Sequence, residues 1–213
     1  MLKTEPISRP SSRRWLVAVG IAAIGVTWQF LSLALIERSV SVFPTVTDVL
    51  MDRLPRIDFG FFGESWFFGL VIVFALWHFR RQWQRTPEIL MALGLMYFLR
   101  GWFLYLFPIG APYGAVSPDE RLSIWGHESH AFFPGGHIAI LTALALFAPV
   151  RWLRWVLWSG LVIFGIGTLL AKTHYTMDSV GGILLGYAVA TMVRQRESVA
   201  TSAAVQNGSG TLR

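Results

Sequence analysis

The chain has 213 residues, of which 54% are hydrophobic, 15% aromatic and only 14% charged. That is too little charge for a soluble domain of this length, and long apolar runs account for the difference, so the chain reads as one all-α integral membrane domain with no room for a second. The absence of cysteine excludes disulfides, zinc-thiolate sites and thiol catalysis. The net charge of +6, from 18 Lys+Arg against 12 Asp+Glu, is explained by arginine in membrane loops and not by a nucleic-acid partner.

A membrane span needs about 20 mostly apolar residues. Residues 1–14 form a basic N-terminal tail, and the first span is expected over 15–36. That stretch is too long for the apolar core of a signal peptide, and no small-residue cleavage site follows it. The loop after it holds a short amphipathic surface helix, expected over 45–54. The second span is expected over 66–79, which is short, or else from near Phe61 despite Glu64. The third covers 89–107 and contains Arg100. The fourth covers 132–150, the fifth 152–170 and the sixth 177–193. The six-span polytopic domain thus occupies 15–196. The tail 197–213 is small, polar and rich in glycine and serine, and is expected to be disordered.

Charge sets the direction. Lys3, Arg9, Arg13 and Arg14 precede the first span, and Arg80, Arg81 and Arg85 separate the second from the third. Arg151 and Arg154 separate the fourth from the fifth, and Arg194 and Arg196 follow the sixth. With six spans these groups share one side, which the positive-inside rule makes cytoplasmic together with both termini. The opposite side carries Asp119, Glu120 and Glu128. With no organelle signal evident, a bacterial-type inner membrane is expected.

On the non-cytoplasmic side the polar groups converge. His174 and Asp178 are four residues apart at the start of the sixth span. On a helix this spacing puts both on one face, where the carboxylate can hold one ring N–H and leave the other nitrogen as nucleophile or base. The pair can equally do no more than cap a helix. His137 lies in the first turns of the fourth span, behind Pro134-Gly135-Gly136. As a lone residue it could be an interfacial side chain reaching headgroups. Proline suits a first helical position, and two glycines leave the backbone N–H groups of a helix start open to an anion. Arg100, about two turns before the outer end of the third span, is expensive to place in a membrane. It can snorkel, pair with Glu64, or offer a fork to phosphate oxygens. Lys172 can add charge to the same anion or face the headgroups. Two histidines, an aspartate, an arginine and a glycine-rich helix start together make an apparatus for cleaving a phosphate ester.

Two other readings compete. His127, Glu128, His130 and His137 could bind zinc, although their order is not His-Glu-x-x-His and the helical metalloprotease geometry is absent. A non-enzymatic lipid-binding protein, scaffold or transporter is the other, but no inverted repeat is visible and the polar groups gather at one face, not the midplane.

The stretches "LLAKTHYTMDSVGGILLGYAV" (169–189), "FFPGGHIAILTALAL" (132–146) and "LRGWFLYLFPIGAP" (99–112) resemble the type 2 phosphatidic acid phosphatase superfamily, and most closely its sphingomyelin synthase branch. The shared features are a His-Tyr-Thr-x-Asp core, a Gly-His at the head of an apolar span, and an arginine-containing span ending in a proline turn, across roughly residues 45–190. The resemblance implies a metal-independent lipid phosphatase or headgroup transferase with no cofactor, acting on membrane lipid phosphates. His174 would be the nucleophile, forming a phosphohistidine, with Asp178 orienting it and His137 acting as general acid and then base. Arg100, Gly135, Gly136 and Lys172 would hold the phosphate. Three positions depart from the family. Gly135 replaces a serine, the upstream Lys/Arg-Pro motif of the phosphatase branch is missing, and Thr168 stands where that branch has an arginine six residues before the nucleophile.

Overall fold

The structure, a computed structural model, describes residues 10–57, 62–112 and 133–209, without the side chains of 62–64 and 197–209. Every regular element among the described residues is helical: α1 Ser12–Ser39, α2 Val49–Arg53, α3 Phe62–Arg81, α4 Thr86–Leu106, α5 Gly136–Phe147, α6 Arg151–Leu170 and α7 Thr176–Ser209, with a 3₁₀ turn Trp83–Arg85 leading into α4. Each of the six expected spans contains or overlaps a helix. Among the described residues four segments are long and apolar enough to cross a membrane: Ser12–Ser39, Trp83–Leu106, Arg151–Leu170 and Thr176–Arg196. Large apolar side chains such as Leu16, Ile24, Leu76, Trp155, Ile163 and Leu184 cover the outside of the bundle, as a lipid-facing surface requires.

The bundle has two chemically different ends. At one, Arg14 of α1 meets Glu88 of α4 at 3.4 Å, Arg154 donates to the Ala148 carbonyl at 2.9 Å, and Arg194 donates to that of Leu146 at 3.1 Å. The arginine-rich connections therefore lie together. At the other end, the segments after α1, α4 and α6 are stitched by backbone bonds from Gly110 N–H to the Pro44 carbonyl (3.0 Å) and from Ile57 N–H to that of Leu170 (2.9 Å). The starts of α5 and α7 lie here as well.

Glycine sets the closest helix contacts. A Cβ on Gly25 of α1 would sit 1.9 Å from the Gly94 carbonyl oxygen of α4, so these backbones touch. Gly182 and Gly186, a Gly-x-x-x-Gly pair on α7, receive α5 in the same way, with added Cβ atoms 2.5 Å from Gly135 O and 2.3 Å from Ala139 O. Without a hydrophobic driving force in lipid, such close backbone approach is what holds helices together. Phe67, Phe74, Met96, Leu141, Leu157 and Val189 fill the common core.

Two expectations need correction. The fourth span, expected over 132–150, is a helix of only 12 residues. It rises about 18 Å, well short of the about 30 Å of hydrocarbon in a bilayer. Pro134 is not its first residue: Gly135 is the N-cap, in extended geometry, and the helix begins at Gly136. Most of α5 is buried among its neighbours, and non-helical backbone is tolerated at such depth only where protein satisfies it. The surface helix expected over 45–54 shrinks to Val49–Arg53, because Asp48 caps it, accepting bonds from Leu50 N–H (3.1 Å) and Met51 N–H (3.0 Å). The sixth span, expected over 177–193, matches the apolar part of α7, Thr176–Arg196, and the helix runs on through Ser209.

Candidate functional site

The site is built where the start of α5 meets the start of α7. Gly135 N–H donates to the Asp178 carbonyl at 2.9 Å, and the Pro134 carbonyl accepts from Arg100 Nε at 2.8 Å. These two bonds hold the chain extended through 134–135 and explain why the helix starts late. They also fix Arg100, only 8% exposed, against the first turn of α5. A Cβ on Gly136 would stand 3.1 Å from Arg100 Nε and 3.3 Å from its Cζ. Glycine at 136 thus admits the guanidinium. The start of α5 has no side-chain cap. Its first backbone N–H groups and the positive dipole end therefore add to the guanidinium charge, as in an anion site.

His137 follows directly. Its ring packs on Phe67 (centroids 4.3 Å apart) and Phe164 (5.6 Å), which hold it from the α3 and α6 sides. It lies within electrostatic range of both His174 and Arg100. His174 Nδ1 faces Asp178 Oδ2 at 3.4 Å, with side-chain exposures of 17% and 0%. The expected pair is therefore present, and so is the capping role. Asp178, third residue of α7, also accepts the Tyr175 N–H at 2.9 Å, so its side chain reaches back over the helix start as the carboxylate half of a capping box does. Its other oxygen, Oδ1, is buried without a hydrogen-bond partner among the described residues.

Gly135 is explained by space. A Cβ there would lie 2.9 Å from the Asp178 carbonyl oxygen, so the serine of the resembled family does not fit this approach of α5 to α7. Lys172 takes a positive φ of 57° in the turn before α7, and its Nζ donates to the Met51 carbonyl in α2. Thr168, at the position of the resembled family's arginine, spends its carbonyl on Thr173 N–H (3.0 Å) and its hydroxyl on the Gly165 carbonyl (2.9 Å). His127, Glu128, His130 and the acidic Asp119 and Glu120 lie outside the described residues, as does the side chain of Glu64.

Sequence reasoning missed a second layer. Asp48 accepts from Thr176 Oγ1 at 2.9 Å and from Thr176 N–H as well as capping α2. Burial pushes its carboxyl up, but the bonds from Met51, Thr176 and Leu50 together outweigh that and hold it below its ordinary value. Tyr175, fully buried, donates its hydroxyl to the Gly110 carbonyl (3.2 Å) and accepts from Val46 N–H (3.3 Å). Burial raises its phenol, with the Asp178, Asp52 and Asp48 carboxylates adding to the shift and the Val46 N–H opposing it. Nothing in the spacing joined Asp48 to Thr176.

Comparison with protein-family models finds no match for this chain, and comparison with curated proteins finds none.

Proposed function

We propose that the chain is an integral membrane enzyme that cleaves or transfers phosphate esters of lipids through a phosphohistidine, like the sphingomyelin synthase branch of the type 2 phosphatidic acid phosphatase superfamily. The observation that carries this reading is the meeting of Arg100, the uncapped start of α5 with His137, and the His174–Asp178 pair at one end of the bundle. Six spans, cytoplasmic termini and a site on the non-cytoplasmic side of a bacterial-type inner membrane belong to the same reading. Support comes from the arginines gathered at the opposite end.

The chemistry runs in two steps. Asp178 holds Nδ1 of His174, so Nε2 attacks phosphorus. The bond from phosphorus to the leaving oxygen breaks, and His137 gives that oxygen its proton. Arg100 and the first-turn N–H groups of α5 stabilise the charge on the remaining oxygens. In the second step His137 takes a proton from water or from an acceptor alcohol. The resulting oxygen attacks phosphorus, and the P–N bond to His174 breaks. Water gives a phosphatase; a lipid alcohol gives a headgroup transferase.

A non-enzymatic lipid-binding role is the second reading, favoured by the 2.9 Å bond that makes Asp178 a helix cap irrespective of chemistry. Purified protein in detergent, offered lipid phosphates and phosphodiesters with chelator present, separates the two. Turnover that survives chelator and vanishes in His174→Ala and in His137→Ala supports the enzyme. Lipid binding without turnover supports the alternative, and chelator-sensitive turnover supports a metal site.

A further inference from the structure

The α1–α3 connection, residues 40–61, carries no part of the proposed chemistry, yet its described residues bond at several points to the turn that does. Val46 N–H reaches Tyr175, Ile57 N–H reaches the Leu170 carbonyl, and the Met51 carbonyl receives Lys172. The most concentrated link is Asp48. Its Oδ1 accepts from Leu50 N–H, Met51 N–H and Thr176 Oγ1, and its Oδ2 accepts from Thr176 N–H. Thr176 is the first residue of α7, two residues after His174 and two before Asp178.

We propose that Asp48 is a positioning residue for the reaction: by bonding both donors of Thr176 it locks the His174–Asp178 turn against α2 and so fixes where the nucleophilic ring points. This inference rests on the reading of His174 as nucleophile.

Helix geometry makes the lock specific. The N–H groups at the start of α7 have no partners within the helix. Tyr175 N–H is taken by Asp178, and Thr176 N–H is taken by Asp48. The two carboxylates thus divide the cap between them. Asp178 also has to face His174 at 3.4 Å, a length at which a small tilt of the turn decides whether a bond forms. Asp48 reaches the turn from another part of the chain, 128 residues away, and removes that tilt. A carboxylate is required because every group around it is a donor. An amide has one acceptor oxygen and would point its NH₂ either at the α2 cap or at Thr176 N–H.

The test compares wild type with Asp48→Asn, Thr176→Val and, as control, Asp52→Asn, whose carboxylate receives Asp48 N–H inside the same turn at 3.1 Å. Two quantities are read on folded protein: steady-state turnover of a lipid phosphate, and amide hydrogen exchange of peptides covering 170–178 by mass spectrometry. Asp48→Asn is expected to lower kcat about tenfold with KM changed less than about twofold, since misplacement of reacting groups by about an ångström costs about a hundredfold. Exchange at the start of α7 should quicken, Thr176→Val should show a smaller effect of the same sign, and Asp52→Asn should match wild type. Unchanged exchange in Asp48→Asn overturns the proposal. So does faster exchange with unchanged kcat, or a kcat loss that only tracks the unfolded fraction. A wild type that turns over no lipid phosphate sinks the nucleophile reading instead, and the exchange comparison then decides alone whether Asp48 holds the turn.

Discussion

Gly135→Ser puts the resemblance and the geometry in direct opposition. The resembled family carries serine at this position, so sequence logic expects the change to restore a phosphate-binding hydroxyl and raise activity. The structure expects the reverse. The new Cβ would lie 2.9 Å from the carbonyl oxygen of Asp178 and 3.3 Å from its carbon, against 3.4 Å where ordinary contact begins. The obstacle is backbone, not the end of a flexible side chain. The start of α5 and the first turn of α7 must part by about half an ångström, which stretches the 2.9 Å bond from Gly135 N–H to the limit of a hydrogen bond. Overpacking of this kind costs about 1–3 kcal/mol. If an ångström of misplacement costs about a hundredfold in rate, half of that costs about tenfold. The assay is turnover of a lipid phosphate by purified protein in detergent, with the thermal midpoint measured beside it. Gly167→Ala, where an added Cβ meets nothing within 4 Å, should leave both unchanged. A Gly135→Ser protein as active as wild type, with an unchanged midpoint, would refute the close approach of α5 to α7 described above.

Three other outcomes follow from the same geometry. Arg100→Lys keeps the charge but loses the Nε bond to the Pro134 carbonyl; it should lower kcat/KM about tenfold or more, in the same turnover assay, because the start of α5 loses its fixed partner. Lys172→Met removes the tie to the Met51 carbonyl and should lower the thermal midpoint while leaving KM for a lipid phosphate within about twofold; a large rise in KM would place Lys172 at the anion site. For Asp48 the sign with pH is set by its depressed folded-state value. The stabilisation is complete above the unfolded-state value and is lost as pH falls through the lower, folded one. Thermal scans should therefore be flat near neutrality and fall only in acid, with the acid fall smaller in Asp48→Asn. The neighbouring Asp52, Tyr175 and Lys172 are unchanged in that comparison.

The sequence located the helices because lipid-facing and core positions are both apolar, and every long apolar run became one. It overestimated the fourth span because hydropathy does not register where a backbone stops being helical. Residues 133–135 (Phe-Pro-Gly) and 148–150 (Ala-Pro-Val) each hold a proline that breaks the helical pattern, and the bonds from Arg100 and to Asp178, distant in sequence, hold the first of these extended. The meeting of Arg100, His137, His174 and Asp178 was legible, since alternating spans bring their ends to one face. The bond of Lys172 to α2 was not legible, because proximity in sequence to His174 says nothing of where a residue with a φ of 57° sends its side chain. Asp48 could not be assigned from its surroundings, because its second role exists only once α2 lies on the start of α7. Gly135 looked like a lost hydroxyl until the carbonyl beside it was visible.

The central claim is that His174 carries the phosphoryl group. Protein reconstituted in lipid vesicles is mixed with a lipid phosphate labelled on phosphorus, quenched in base within a turnover, digested and mapped for acid-labile label. Label on the peptide containing His174, absent in His174→Ala, is the result this account predicts. Turnover that proceeds with no label at His174, or with label retained in His174→Ala, would contradict it.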